Sequence, residues 1–273
     1  MDYRIVYVSN SISEGFPMLV AVSSSASPLL TVGSNADHPG PAAVGTFSAP
    51  PAAIRTEAFL HAAQQLMQSR GSKPAPALPG QVVRKLTVTP SSGTEQVRYA
   101  TESSAPDPEF LAAEAEAIAL AQLLRQHPKV ALSGQSVFRP IGPERLVVTV
   151  RLVNVGVAPL AIPHPDVWEG GAVSITITAL RNDVPPAKLS NEHQQFVNLS
   201  KTQLTDTNPP LEPGRTITLS PTREVTLTFA TDLVLPSGGY DIWTTLETPI
   251  LDPQGARLMH AEIVSTKVPW QVP

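Results

Sequence analysis

Proline sets the strongest limit on what this chain can fold into. It fills 29 of 273 positions, about 11% where about 5% is usual. Each proline inside a helix removes a backbone donor and clashes with the preceding turn. A mostly helical fold is therefore excluded, whereas short strands joined by proline-rich loops accommodate that number. Hydrophobic residues make up 42% and charged residues only 15%, against about 25% charged in an average domain. That apolar content is enough for a core and excludes a fully disordered chain. At roughly 100–200 residues per domain, the length fits one large or two modest domains.

The N-terminal half carries two similar segments, 30–67 and 86–124. Leu30-Thr31-Val32 recurs 56 residues later as Leu86-Thr87-Val88, and Ser48-Ala49-Pro50 recurs as Ser104-Ala105-Pro106. After one inserted residue, Gln65-Leu66-Met67 matches Gln122-Leu123-Leu124. Each copy reads as strand, strand, proline-marked break and helix. Duplication and shared ββα patterning both account for the identities. The helix expected over 53–69 places Phe59, Ala62, Ala63, Leu66 and Met67 on one face. The helix over 108–126 does the same with Phe110, Ala113, Ala117, Leu120, Ala121 and Leu124. Both follow the i, i+3, i+4, i+7 spacing of an amphipathic helix, and Asp107-Pro108 is a suitable start for the second. Strands are expected at 4–8 and 18–22, with residues 70–80 as the linker between copies. Burying both stripes predicts an α+β domain over 1–128, two helices on an antiparallel sheet.

After Pro128 the helical period vanishes. Strands are expected at 130–138, 145–155, 173–180, 196–204, 216–219, 225–230, 240–246 and 258–268. Apolar and hydroxyl residues alternate in Val173-Ser174-Ile175-Thr176-Ile177-Thr178 and in Val225-Thr226-Leu227-Thr228-Phe229, as in strands with one buried face. About eight strands in 129–273 predict an all-β sandwich. Two stretches carry a family likeness. Leu146 to Gly156 is an apolar strand ending in Asn154-Val155-Gly156, and Leu235-Pro236-Ser237-Gly238-Gly239-Tyr240-Asp241-Ile242-Trp243 leads through Pro and Gly to a tyrosine. Together they resemble bacterial immunoglobulin-like modules. The resemblance implies an immunoglobulin-like sandwich in which the tyrosine ties a corner to upstream backbone. It implies no activity, because such sandwiches host unrelated ones.

Charge narrows the partners. Lys+Arg number 19 and Asp+Glu 23, a net −4. Cut after Pro128, the halves hold 8 against 10 and 11 against 13, so each nets −2. No basic surface exists to track phosphates, so nucleic acid is not expected as a partner. No run of about 18 apolar residues exists, so no membrane span is expected. The first residues lack the basic and apolar regions of a secretory signal. There is no cysteine, which excludes disulfides, thiolate metal sites and thiol catalysis. A cytoplasmic location is expected, although a chain stripped of its signal would read the same way.

Chemistry-bearing motifs are few. The six histidines, His38, His61, His127, His164, His193 and His260, form no His-Glu-x-x-His pair, and no two lie within five residues. The best local cluster is His164-Pro165-Asp166-Val167-Trp168-Glu169. It admits a metal or acid–base reading, but a polar interstrand loop accounts for it more simply. His38 beside Asp37, and His193 in a polar stretch, read as loops. No Gly-x-Ser-x-Gly elbow, phosphate loop or dinucleotide fingerprint occurs. No catalytic, metal or cofactor residue is therefore assigned, and no cofactor is expected. Glu109, Glu114 and Glu116 form an acidic side on the second helix, either a solvated face or a dock for a basic partner.

This profile fits a non-catalytic protein-binding protein better than an enzyme. Its most concrete form is a bacterial immunity protein that neutralises a toxin by occluding a basic cleft. That form rests on the profile of a small, acidic, motif-poor chain and on no single residue. The candidate partner-binding residues are Glu109, Glu114, Glu116, Asp166, Trp168 and Glu169. The first alternative is an adaptor module of a secretion or envelope assembly, engaging its partner through an exposed edge strand. The second is a hydrolase at the domain junction that uses His127 or His164 with a carboxylate.

Overall fold

The computed structural model describes residues 3–11, 18–37, 39–40, 42–69, 82–90, 92, 94–101, 107–141, 145–171, 173–185 and 188–272. The linker at 70–80, the repeat match at 104–106 and His38 lie outside the described residues. Strands make up 53% of the described residues, with only two α-helices, and they form two large antiparallel sheets. This overturns the expected α+β domain followed by a separate immunoglobulin-like sandwich. The helical periodicity at 53–69 and 108–126 dominated the reading of a half that is otherwise strand. The chain forms two compact units. One compact unit comprises Met1–Gly33 and Gly45–Lys129, and the other Ser34–Val44 and Val130–Pro273.

The first unit holds β1 (Tyr3–Ser11), β2 (Met18–Ser23), β3 (Leu29–Val32), β4 (Val44–Ser48), α1 (Glu57–Gln68), β5 (Val82–Pro90), β6 (Gln96–Thr101) and α2 (Pro108–Leu124). Its strands are hydrogen-bonded in the order β4-β3-β2-β1-β5-β6, all antiparallel. Register sets Tyr7 opposite Val20 on one side and Leu86 on the other. Alternation then puts Ile5, Tyr7, Val20, Val22, Leu30 and Leu86 on one buried face. The two helices pack on each other and on this sheet. They bury Phe59, Ala62, Ala63 and Leu66 from α1, and Phe110, Ala113, Ala117, Leu120, Ala121 and Leu124 from α2. The first helix starts four residues later than its spacing predicts, because Pro51–Ala53 forms a separate 3-10 turn and Ile54 is extended.

The second unit holds β7 (Pro128–Pro140), β8 (Arg145–Asn154), β9 (Leu160–Pro163), β10 (Ser174–Arg181), β11 (Gln194–Leu199), β12 (Leu204–Asn208), β13 (Thr216–Leu219), β14 (Glu224–Asp232), β15 (Gly238–Leu251), β16 (Arg257–Val264) and β17 (Val268–Val272). One layer runs β12-β14-β8-β7 and the other β11-β10-β15-β9-β13, with β16 and β17 also on β15. Inward residues of both layers, including Val148, Val150, Leu227, Phe229, Ile175, Ile177, Ile242 and Leu246, share one core. Each such side chain contributes about 1.5–3 kcal/mol when fully buried.

Two motifs noted in the sequence make specific bonds. The Asn154 amide donates to the Ala158 and Leu219 carbonyls at 2.9 and 2.8 Å, and its oxygen accepts from Gly156 N–H at 2.9 Å. The Tyr240 hydroxyl donates to the Pro236 carbonyl at 2.9 Å, closing a local corner. Asn35 pins its early segment into the unit. Its Nδ2 donates to the carbonyls of Gly40, Ala42 and Val264, and its Oδ1 accepts from Val264 N–H.

Candidate functional site

Helix α2 begins where Asp107, extended, hands over to Pro108 at the first helical position, whose missing N–H would have no partner there anyway. The Asp107 carbonyl accepts from Leu111 N–H at 3.0 Å. Alanine-rich sequence then carries the helix for 17 residues.

The three acidic candidates on α2 separate. Glu114 belongs to the buried stripe, spaced four from Phe110 and three before Ala117, and it is only 7% exposed. Its Oε1 accepts from the Tyr7 hydroxyl at 2.7 Å and its Oε2 from Arg84 Nη1 at 2.7 Å. Tyr7 on β1 and Arg84 on β5 share the inner face, since Tyr7 opposes Leu86 and Arg84 opposes Ser9. Burial, and next the bond to Glu114, push the Tyr7 hydroxyl well above the usual phenol range. Glu114 thus ties helix to sheet and presents no charge to a partner.

Glu109 is exposed and Glu116 half-buried, and neither has an ion-pair partner among the described residues. With Leu123 they recur every seven residues and so form one line along the helix. Leu111 and Ile118 form a second line. Between the lines lie Ala112, Ala115, Ala119 and Gln122, all exposed. Leu111, Ile118 and Leu123 are 46%, 41% and 47% exposed. The acidic spacing pointed to the carboxylates and missed these three. Their signal was present in the sequence, because Leu111, Ile118 and Leu123 fall off the buried stripe of this helix. Neither α1 nor α2 contains a lysine or arginine, and α1 adds Glu57 in its first turn. The outer face of α2 is therefore a strip of alanines with Gln122, flanked by an apolar line and a partly acidic one.

Asp166, Trp168 and Glu169 come together on a 3-10 turn, Pro165–Gly170, in the second unit. His164 caps it, accepting from Asp166 N–H through Nδ1 at 3.1 Å. Trp168 is buried, donates from Nε1 to the Pro163 carbonyl at 3.2 Å and stacks on Phe229 with centroids 6.2 Å apart. The Asp166 carboxylate is bound by the Lys201 ammonium and by Gly214 N–H. The Lys201 bond, with Gly214 and His164 adding to it, holds that carboxyl below its ordinary range. Glu169 is exposed and edges a hollow of about 130 Å³ lined by Trp168, Val173, Leu199, Ser200, Lys201 and Thr202. Of this cluster only Glu169 offers a carboxylate not already bound among the described residues. Lys201, the partner of Asp166, is 35 residues away and had no local signal.

His164 lies 3.1 Å from Asp166 Oδ2 through Nδ1. The imidazole is 6% exposed and its Nε2 has no hydrogen-bond partner among the described residues, while the Asp166 carboxylate is exposed and held by Lys201. His127 is exposed, and its carbonyl accepts from Ser48 N–H. Among the described residues no group of three His, Asp or Glu is placed to hold a metal ion. Nor is any helix among them long and apolar enough to cross a membrane.

No protein-family model matches the chain, and no curated protein matches it. Solved structures show only distant likeness. A Bordetella pertussis protein assigned as ApaA is 14% identical, aligned over 54% of this chain and 97% of its own, with a TM-score of 0.30. AvmM, described as catalysing macrocyclization in alchivemycin A biosynthesis, is 12% identical over 52% and 88%, with a TM-score of 0.27. The MHC-like protein MILL2 is 9% identical over 99% of both chains, with a TM-score of 0.17. Likenesses this low carry no argument about fold or function.

Proposed function

We propose that this chain is a non-catalytic protein-binding protein, in its most concrete form a cytoplasmic bacterial immunity protein that covers a toxin's basic cleft. The reading rests on the outer face of α2, where Leu111 and Ile118 stand exposed on one line and Leu123, with exposed Glu109 and half-buried Glu116, on the other. Exposed large apolar side chains grouped on one face mark interaction surfaces. The absence of any cation from both helices selects a partner with basic residues around an apolar patch. In such a complex the partner packs on the alanine strip, the exposed leucines and isoleucine exclude water, and the carboxylates speed encounter. Residues Glu114 and Asp166 have no part in it, because their carboxylates serve internal bonds.

Capture from the native cell with wild-type and Ile118→Arg baits tests the reading. A single stoichiometric partner should be held by the wild type and lost by Ile118→Arg, with affinity at least about tenfold lower, as expected for a central apolar contact. Glu109→Lys with Glu116→Lys should slow association and flatten its salt dependence. A partner whose toxicity is relieved by co-expression makes the function immunity. Equal binding by all baits removes α2 as the binding face.

A further inference from the structure

We infer that the second unit pairs with a second copy of this chain through β11, edge to edge and antiparallel, with Phe196 on the two-fold axis. This is independent of the α2 reading. A free edge strand presents unpaired N–H and C=O groups and templates another strand unless it is guarded. The outer strands β12, β13, β16 and β17 are guarded or covered. Strand β12 has a bulge and Asp206, β13 has only four residues, and β17 contains Pro269. The outer side of β16 is covered by the early segment, where Asn35 N–H donates to the Glu262 carbonyl and Gly40 N–H to that of Val264. Strand β11, Gln194-Gln195-Phe196-Val197-Asn198-Leu199, has no charge, no proline and no bulge, and it pairs on one side with β10.

Its sequence is also self-complementary. Leu199 is buried, and Phe196 on the opposite face is 63% exposed. In the antiparallel register centred on Phe196, Phe196 meets its own copy and Gln194 meets Asn198 of the other chain on both sides. Aromatic and amide cross-strand pairs of this kind stabilise a sheet.

Sedimentation of the full chain at about 100 µM should give twice the 29.0 kDa of one chain. Phe196→Lys and Phe196→Glu should each sediment as single chains, and an equimolar mixture should return to the dimer, because residue 196 faces itself. The chain has no cysteine, so Phe196→Cys supplies the only thiol. It should oxidise to a covalent dimer about tenfold or more faster than Val157→Cys, a control 77% exposed in the same unit. This second measurement stands even where a charged variant fails to fold. A wild type that sediments as a single chain overturns the inference. So does a dimer that survives Phe196→Lys, a mixture that stays monomeric, or equal cross-linking at 196 and 157.

Discussion

Glu114 reads as one of three acidic residues on a helix surface, yet it is the buried end of a three-residue network with Tyr7 and Arg84. The sequence did contain its orientation, since positions 110, 113, 114, 117, 120, 121 and 124 form one stripe. Its partners were not legible, because Tyr7 and Arg84 are 107 and 30 residues away. Removing Glu114 strands a partly buried guanidinium and a buried phenol. Glu114→Ala should therefore cost about 3 kcal/mol in urea unfolding. Tyr7→Phe should cost about 1–2 kcal/mol and also change the alkaline limb. A phenol whose folded value lies above its unfolded value, about 10, contributes stability that is complete below that pH. That contribution is lost as pH rises toward the folded value. Denaturant midpoints of the wild type should thus fall above about pH 10, and those of Tyr7→Phe should fall less.

At the scale of elements, the strand expected over 196–204 is two strands in opposite layers. Ser200 and Gln203 form a capping box around the 3-10 turn Lys201–Gln203 and turn the chain from β11 into β12. Both residues lie in the polar run Ser200-Lys201-Thr202-Gln203, which separates Leu199 from Leu204. The span 258–268 is also two strands, Arg257–Val264 and Val268–Val272, but both pair with β15 in one layer. Strand β9 escaped notice because four residues ending in proline give too short a pattern. Close approach between layers also fixes a residue type. A Cβ on Gly134 of β7 would stand 2.7 Å from Ile263 Cγ2 and 3.2 Å from Leu152 Cδ2. Gly134→Ala should lower stability by about 1–3 kcal/mol, read as a lower denaturation midpoint.

At the scale of the whole molecule, residues 34–44 cluster with the C-terminal unit. Asn35-Ala36-Asp37 reads as a turn, and nothing local shows that the Asn35 amide serves Val264, 229 residues on. Asn35→Ala removes four hydrogen bonds, a loss of about 2–4 kcal/mol. The Val264 and Gly40 amides should then lose hydrogen-exchange protection while those of β1 and β5 keep theirs. The same pin dictates a timetable during synthesis. At about 5–20 residues per second, Val264 emerges roughly 10–50 s after Asn35. Until then residues 34–44 hang as an unclosed loop, and the amides they are destined to satisfy do not yet exist. Ribosomes stalled before codon 264 therefore hold a chain whose second unit cannot close, however long they wait.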